Sequence, residues 1–191
     1  MNPIFQSNQY LLKRQVFALA GKFRVFDTSG KLLLFSEQKM FKLREDIRVY
    51  ADETKTQEVL AIKARQIVDF SAAYDVVDSA TGQKIGAMRR KGLASILRDE
   101  WEVLDVNDAV LGKLFEDSMG LALLRRFLTN LVPQNYDMFF GETRVADYKQ
   151  NFNPFTYELN IDFNMDTARQ LDRRLGIAAG ILLAAVEGRQ Q

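Results

Sequence analysis

The sequence predicts a mainly β protein with a central α-helix: a closed barrel of about twelve antiparallel strands around a buried hydrophobic C-terminal helix. Three observations lead to this fold class. A phrase of strand, tight turn and strand recurs along the chain and accounts for the sheet. The segment Leu175–Val186 contains no charged, amide or hydroxyl side chain and accounts for the helix. Small residues recur along this segment, which indicates that the sheet encloses it closely.

The composition is that of an ordinary globular chain, with 191 residues of which 47% are hydrophobic and 27% are charged. This length predicts a single domain over 1–191, with its core at about 9–187. The formal net charge is only +1, so no nucleic-acid partner is expected. Residues 1–15 lack the apolar region of a secretory signal, so the predicted location is cytoplasmic.

Two residue types that carry much of enzyme chemistry are absent, because the sequence contains no cysteine and no histidine. Disulfides, thiolate metal sites and catalytic Ser-His or Cys-His pairs are therefore excluded. No glycine-rich phosphate-binding motif is present. Acidic pairs such as Asp99/Glu100 fall in predicted strands, where adjacent side chains point to opposite faces. We therefore predict a protein that is not an enzyme and that uses no cofactor or metal ion.

The recurring phrase consists of an aromatic, a charged, an aliphatic and an apolar residue, usually followed by Asp. Its first and third positions point to one face of a strand, so an aromatic and an aliphatic side chain enter the core together. The turns that follow are rich in Asp, Asn and Gly, as in short hairpin loops. The copies begin at Phe23, Tyr74 and Trp101, with a weaker copy at Tyr136.

These copies begin 51, 27 and 35 residues apart, which argues against a propeller or solenoid of fixed period. Strands that follow one another through short turns are antiparallel. The predicted strands are 9–18, 22–28, 31–37, 46–52, 57–66, 69–78, 83–91, 95–105, 109–116, 136–141, 143–150 and 155–163.

The segment 118–131 has the pattern of an amphipathic helix. Ser118 is a suitable N-cap, and Pro133 prevents the helix from continuing. We expect this helix to pack on the sheet, and a membrane-surface or partner-binding helix is the alternative. Its leucines recur on one face: Leu121, Leu124, Leu128 and Leu131.

The C-terminal helix is predicted at about 166–187. Thr167 and Gln170 have capping-box spacing, Asp166 is another candidate cap, and Gly188 ends the helix. Its twelve-residue apolar run spans about 18 Å, whereas a bilayer core needs about 30 Å. A buried core helix is therefore favoured over a membrane anchor or an intermolecular helix interface.

Small residues stand at every fourth position of this helix: Gly176, Gly180 and Ala184. In a lipid environment such spacing favours helix dimerisation. In a β protein it indicates that the helix backbone comes close to surrounding strands, as in a barrel with a helix through its centre.

These features together resemble the tubby-like superfamily, in the branch that holds phospholipid scramblases and LURP-one-related proteins. The resemblance covers about 9–187. It is carried by the hairpins, by Leu111–Phe115, which is similar to a Gly-Lys strand of the family, and by 166–183, which is similar to its terminal core helix. It implies a closed barrel around a hydrophobic helix, and a protein that is not a conventional enzyme. Tubby-type domains bind phosphoinositide headgroups through surface Lys and Arg.

The sequence departs from the scramblase pattern, because it lacks the cysteines that receive acyl chains. The segment 105–116 places Asp, Asn and Glu at positions 1, 3 and 12 of a calcium-binding loop. However, Ala109 stands where an oxygen ligand is needed, and Val110 stands where glycine makes the sharp turn. We therefore interpret this segment as a hairpin.

The best local candidate for a binding site is the basic stretch around β-strand 83–91. Together with basic residues on strands predicted nearby, it would form a cationic patch suited to anionic headgroups; a scattered solvated surface is the alternative. Asn153-Pro154-Phe155 matches a short adaptor-binding tripeptide, but a turn before the last strand is the simpler interpretation. The candidate headgroup residues are Lys84, Arg89, Arg90, Lys91, Lys63, Arg65 and Arg98.

The function predicted from these observations is that of a non-enzymatic binding or regulatory protein. Its expected partner is an anionic phospholipid or phosphoinositide at the inner face of the membrane. Two alternatives stay open: a barrel that carries a small apolar ligand, which needs a hollow lumen, and a protein-interaction scaffold without a lipid role.

Overall fold

A computed structural model describes residues 2–15, 20–39, 46–65, 72–91, 100–117, 133–153 and 155–186. These residues form twelve strands, one short 3-10 helix at Pro3–Phe5 and one α-helix, α1, at Arg173–Val186. The strands are β1 Gln9–Gln15, β2 Ala20–Phe26, β3 Leu32–Lys39, β4 Ile47–Tyr50, β5 Glu58–Ala64, β6 Ala73–Asp78, β7 Lys84–Arg90, β8 Glu100–Leu104, β9 Val110–Glu116, β10 Asn135–Phe140, β11 Thr143–Asn151 and β12 Thr156–Asp162.

The twelve strands form one closed antiparallel barrel, which confirms the predicted fold class. Each strand pairs with its neighbours in the chain, and β1 closes the barrel by pairing with β12 from Gln9↔Asp162 to Gln15↔Thr156. Each of the twelve predicted strands overlaps one strand of the structure, and the predicted strand residues 16–18, 66, 69–71 and 95–99 lie outside the described residues. The predicted helix at 118–131 lies outside the described residues, as does Gly188.

The recurring phrase places its first and third side chains in the core, as predicted. Tyr74 and Val76 are buried, and the corresponding residues of the other copies are buried with them. An additional copy begins at Ile47, with Ile in place of the aromatic residue and Asp52 in its turn. The buried pairs are Phe23/Val25, Ile47/Val49, Tyr74/Val76, Trp101/Val103 and Tyr136/Met138.

Each of these hairpins has a shift in its register directly after the third position of the phrase. In β8–β9, for example, Val103 pairs with Gly112 and Leu104 pairs with Val110, so Leu111 has no partner. Such extra residues bend a strand and increase its twist, which a closing sheet requires. The skipped residues are Leu33, Val59, Ile85, Leu111 and Val145.

α1 lies in the barrel lumen. It contacts β1 and β12 on one side and β6 and β7 on the other, and these pairs lie on opposite sides of the strand order. Every helix residue from Leu175 to Ala185 is buried. A methyl group on Gly176 would lie 2.6 Å from the Phe163 ring, and Tyr148 Oη donates a hydrogen bond of 3.0 Å to the Gly176 carbonyl. The predicted tight enclosure is therefore confirmed.

The start of α1 was predicted wrongly. The helix begins at Arg173, where Asp172 Oδ1 accepts the backbone N–H of Arg174 at 2.9 Å and so acts as the N-cap. Asp166 instead accepts the N–H groups of Gln170 and Leu171 within a non-helical segment. Arg169 has a φ of +51° there, which a right-handed helix does not allow. The Thr167/Gln170 spacing is therefore not a capping box.

The described chain contains no helix with the length and apolar character needed to cross a bilayer.

Candidate functional site

The predicted headgroup residues lie on one region of the barrel, at strands β5 and β7. Lys63 is in β5 and Arg65 directly follows it. Lys84, Arg89 and Arg90 are in β7, and Lys91 directly follows that strand. Arg98 lies outside the described residues. The structure brings most of these side chains together, but it divides them between two ion-pair clusters.

The first cluster, here called the Arg65 cluster, consists of Arg65, Asp75, Lys84 and Asp108. Arg65 donates to Asp75 through Nε at 3.0 Å and Nη2 at 2.5 Å. It also donates to Asp108 through Nη1 at 3.2 Å and Nη2 at 2.6 Å. Lys84 Nζ lies 2.6 Å from Asp108 Oδ1 and 3.3 Å from Asp75 Oδ1. Two cations and two carboxylates thus alternate across β5, β6, β7 and the β8–β9 turn.

These contacts keep both carboxylates ionised. The hydrogen bonds from Arg65 and then Lys84 lower the pKa of Asp108 to about 2. Partial burial acts to raise the pKa of Asp75, but the hydrogen bond and charge of Arg65 outweigh it and the pKa is lowered. Both carboxylates therefore carry a full negative charge at neutral pH.

The second cluster, here called the Glu102 cluster, lies further along β7, β8 and β9. Arg89 Nε donates to Glu102 at 2.7 Å, and Lys91 lies 3.1 Å from Glu102 and 3.2 Å from Glu100. Lys113 lies 3.2 Å from Glu100. Burial acts to raise the pKa of Glu102, but Arg89 and Lys91 lower it overall.

Two of the predicted cations differ from the rest. Lys63 is exposed and makes no ion pair with the described part of the chain, but it pairs in register with Asp75 and therefore shares the outer face of the sheet with the Arg65 cluster. Arg90 pairs in register with Trp101, which is buried in the core, so it projects from the inner face of β7. Arg90 is thus separated from Arg89 by strand alternation.

An apolar tip adjoins the Arg65 cluster on the β8–β9 hairpin. Val106, Val110 and Leu111 are 51%, 53% and 41% exposed. They flank Asp108, whose carboxylate joins the tip to Arg65 and Lys84. Contiguous exposed apolar patches are typical of surfaces that contact a membrane or another protein, and these three side chains lie on one hairpin beside basic residues.

The predicted hairpin at 105–116 is confirmed. Asp105 Oδ1 accepts the N–H groups of Asn107 and Ala109, each at 2.8 Å, and Asp108 is held by Arg65 and Lys84. Within the described ranges, no three acidic side chains are grouped as a metal ion requires.

The predicted turn before the last strand is also confirmed. Asn153 Oδ1 accepts the N–H groups of Phe155 at 3.0 Å and Thr156 at 3.1 Å. Phe152 and Phe155 are 60% and 72% exposed on either side of this turn.

The lumen offers little support for the apolar-ligand carrier, which needs a hollow barrel. α1 occupies the lumen, and a methyl group on Gly180 would lie 2.6 Å from Ile161 Cδ1 of the wall. The apolar side chains of helix and strands form one continuous core cluster.

Sequence reasoning identified the cations of this region but missed the carboxylates that hold them. Asp75 and Glu102 occupy the charged second position of the recurring phrase, which faces away from the core. This charged position is the feature of the sequence from which the two carboxylates could have been predicted. The contact of Asp108 with Arg65, 43 residues earlier, depends on the register of four strands and leaves no local pattern.

Comparison with known proteins identifies the family. The family model described as LURP-one-related matches residues 32–171, which is well over half of the chain. Neither the curated proteins nor the solved structures contain a significant match. Together with the closed barrel, this match shows that the chain belongs to the LURP-one-related family of the tubby-like superfamily.

Proposed function

We propose that this protein is a non-enzymatic, cytoplasmic binding protein that associates reversibly with anionic phospholipid headgroups at the membrane surface. The binding surface is the outer wall formed by β5, β7 and the β8–β9 hairpin. The observation that carries the proposal is the juxtaposition of an excess of basic residues with the exposed aliphatic tip at Val106, Val110 and Leu111.

The charge of this wall supports the proposal. The two clusters and Lys63 contain six basic and four acidic side chains, so these ten residues carry an excess of two positive charges. A basic side chain near an anionic membrane contributes about 1 kcal/mol, so this excess supplies about 2 kcal/mol. Burial of the aliphatic tip in the membrane adds to this binding free energy. The result is weak, salt-sensitive binding, in keeping with reversible association.

Vesicle flotation tests the proposal. We expect the protein to float at low salt with phosphatidylcholine vesicles that contain a phosphoinositide, to remain behind with phosphatidylcholine alone, and to dissociate as salt is raised. Lys63→Glu should weaken flotation. The control is Lys31→Glu, because Lys31 is an exposed lysine on the β2–β3 turn and gives the same change in charge. Absence of phosphoinositide-dependent flotation, or an equal loss in both variants, would contradict the proposal.

A protein-interaction scaffold is the second candidate, and the exposed Phe152 and Phe155 favour it. Large exposed aromatic side chains in a turn held by Asn153 are typical anchors for a partner's apolar pocket. If Phe152→Ala/Phe155→Ala abolishes capture of a protein partner and leaves vesicle flotation unchanged, the scaffold role is supported on a separate surface.

A further inference from the structure

Asp108 occupies the positive-φ position of the β8–β9 turn, as Gly30 does in the β2–β3 turn, and its side chain contacts the basic wall. Its φ is +68°, a region that residues other than glycine rarely occupy. It stands at the tip of the β8–β9 turn, yet its carboxylate reaches Arg65 after β5 and Lys84 in β7. The turn is closed by the Asp105 side chain and by backbone hydrogen bonds, including one of 3.2 Å from Asp108 N–H to the Asp105 carbonyl, so the Asp108 carboxylate is not needed to hold it.

The contacts of Arg65 divide its guanidinium into an inner and an outer edge. The edge formed by Nε and Nη2 donates to Asp75 on the barrel wall. The edge formed by Nη1 and Nη2 donates to both oxygens of Asp108, and Lys84 Nζ donates to Oδ1 of the same carboxylate. A guanidinium edge with an adjacent ammonium group is the donor arrangement that binds phosphate oxygens.

Asp108 is the outermost member of this group. Its side chain is 46% exposed, whereas those of Arg65 and Lys84 are 29% and 25% exposed. The carboxylate therefore covers the outer donors of both cations. Asp75, on the strand behind them, would hold both cations in place if Asp108 moved away.

We propose that Arg65 and Lys84 form a binding site for a phosphate monoester, and that the Asp108 carboxylate occupies this site in the free protein as an internal competitor. A phosphate monoester presents up to three acceptor oxygens and nearly two negative charges, so it satisfies the same donors and also attracts Lys63, which precedes Arg65 by two residues and shares the outer face of β5. This inference rests on the proposed function, since it names the headgroup chemistry and adds a built-in restraint on binding.

Asp108→Asn tests the inference. Asparagine tolerates a positive φ and has nearly the shape of aspartate, but it lacks the charge that competes with phosphate. Because exposed ion pairs are individually weak, we expect binding of phosphoinositide vesicles to tighten about three- to tenfold. Glu53→Gln is the matched control: Glu53 is an exposed hairpin residue that pairs with Arg24 at 2.7 Å, and the change in charge is the same.

A second variant and a soluble probe separate the outcomes. Arg65→Gln in the Asp108→Asn background should remove the gain. An equal gain in Glu53→Gln, no gain in Asp108→Asn with either vesicles or a soluble inositol phosphate, or a gain that survives Arg65→Gln would overturn the inference. Calorimetric titration with a soluble inositol phosphate distinguishes the sources of the phosphate. If Asp108→Asn tightens that titration while no variant binds vesicles, the phosphate site stands and the membrane role fails. If the wild-type protein binds vesicles and Asp108→Asn gains nothing in either assay, the membrane role stands without this site.

Discussion

At the scale of single residues, a methyl group added to either of two glycines without positive φ would meet a different kind of neighbour. A methyl group on Gly112 would lie 2.0 Å from the Phe139 carbonyl oxygen, which belongs to the backbone of the neighbouring strand. A methyl group on Gly180 would lie 2.6 Å from Ile161 Cδ1, the end of a flexible side chain. The first contact is relieved only by moving β10, whereas the second is relieved by a change of rotamer.

We therefore expect Gly112→Ala to lower the free energy of unfolding by about 3 kcal/mol or more. Gly180→Ala should change it by no more than about 2 kcal/mol, because alanine recovers about 1 kcal/mol of helix propensity. Thermal unfolding followed by circular dichroism measures both. A Gly112→Ala variant as stable as Gly180→Ala would show that β9 and β10 have room for a methyl group between Gly112 and the Phe139 carbonyl.

At the scale of elements, a buried ion pair fixes the segment that leads into α1. Asp166 and Arg173 are each 3% exposed, and Arg173 Nη1 donates to Asp166 Oδ2 at 2.7 Å. Arg173 also packs over the Phe163 ring, 4.8 Å from its centroid. This segment connects β12 to the helix across the mouth of the barrel, so its geometry determines how α1 enters the lumen.

Asp166→Asn should destabilise the fold by about 3 kcal/mol at pH 7, because it leaves the Arg173 charge buried without its partner. Asp166→Asn/Arg173→Met should cost clearly less than the sum of the two single variants.

The stability that the ion pair provides also depends on pH. Burial acts to raise the pKa of Asp166, but Arg173 and the two backbone N–H groups lower it overall. The stabilisation that ionised Asp166 gives the folded protein is therefore present above the pKa that this carboxyl has in the unfolded chain, near 3.8. It is lost as the pH falls through the lower pKa of the folded protein. Urea unfolding at pH 7 and at acid pH measures the free energies of unfolding of all these variants. If the costs of the two single variants simply add in the double variant, Asp166 and Arg173 are not energetically coupled.

The outer faces of β10, β11 and β12 carry a row of three carboxylates. Asp137 pairs in register with Asp147, and Asp147 pairs with Asp162. Burial raises the pKa of Asp137, Arg144 opposes this effect and Asp117 reinforces it. A group whose pKa is raised by folding stabilises the protein below its unfolded pKa, and this contribution is lost as pH rises through the folded value. Ionised Asp137 therefore destabilises the barrel at neutral pH.

Asp137→Asn should accordingly raise the free energy of unfolding by about 0.5–1 kcal/mol at pH 7, and the gain should disappear in acid. Asp147→Asn is the control. Asp137 and Asp147 both pair with Arg144, but Asp147 also pairs with Lys149 at 2.8 Å, so we expect Asp147→Asn to destabilise the protein. Denaturant titrations across the pH range compare the two, and a loss of stability in Asp137→Asn at pH 7 would be the opposite of the expectation.

At the scale of the whole molecule, the sequence alone was sufficient to predict the barrel and its central helix, because both follow from local patterns of residues. The phrase encodes which residues face inward, and the all-apolar run encodes complete burial. The copy at Ile47 was missed because its first residue is not aromatic, and the start of α1 was missed because Asp166 bonds backbone N–H groups outside a helix. Cross-strand partners such as Arg65 and Asp108 depend on register, which strand patterns do not determine.

The enclosure of α1 yields a prediction at this scale. Ala179 is fully buried within the lumen, so Ala179→Asp would place an unpaired charge in the centre of the core. We expect this variant not to fold, as judged by loss of the β-sheet circular dichroism spectrum and by aggregation on expression. Ala80→Asp, on the exposed β6–β7 turn, should fold normally. A folded Ala179→Asp variant would show that the helix is not the core of the barrel.

The closure of the barrel by β1 and β12 also determines when the protein is able to fold during its synthesis. Gln9 and Asp162, which are hydrogen-bonded to each other, lie 153 residues apart, and α1 follows β12 in the chain. Although β1 pairs with β2 early, it must therefore wait until β12, about 150 residues later, has left the ribosome before the barrel is able to close. Until then the growing sheet has two open edges and an unfilled apolar inner face, which invite aggregation. We expect slow folding, dominated by contacts of long sequence separation, and a dependence on chaperones that ends only when the C-terminal helix is available.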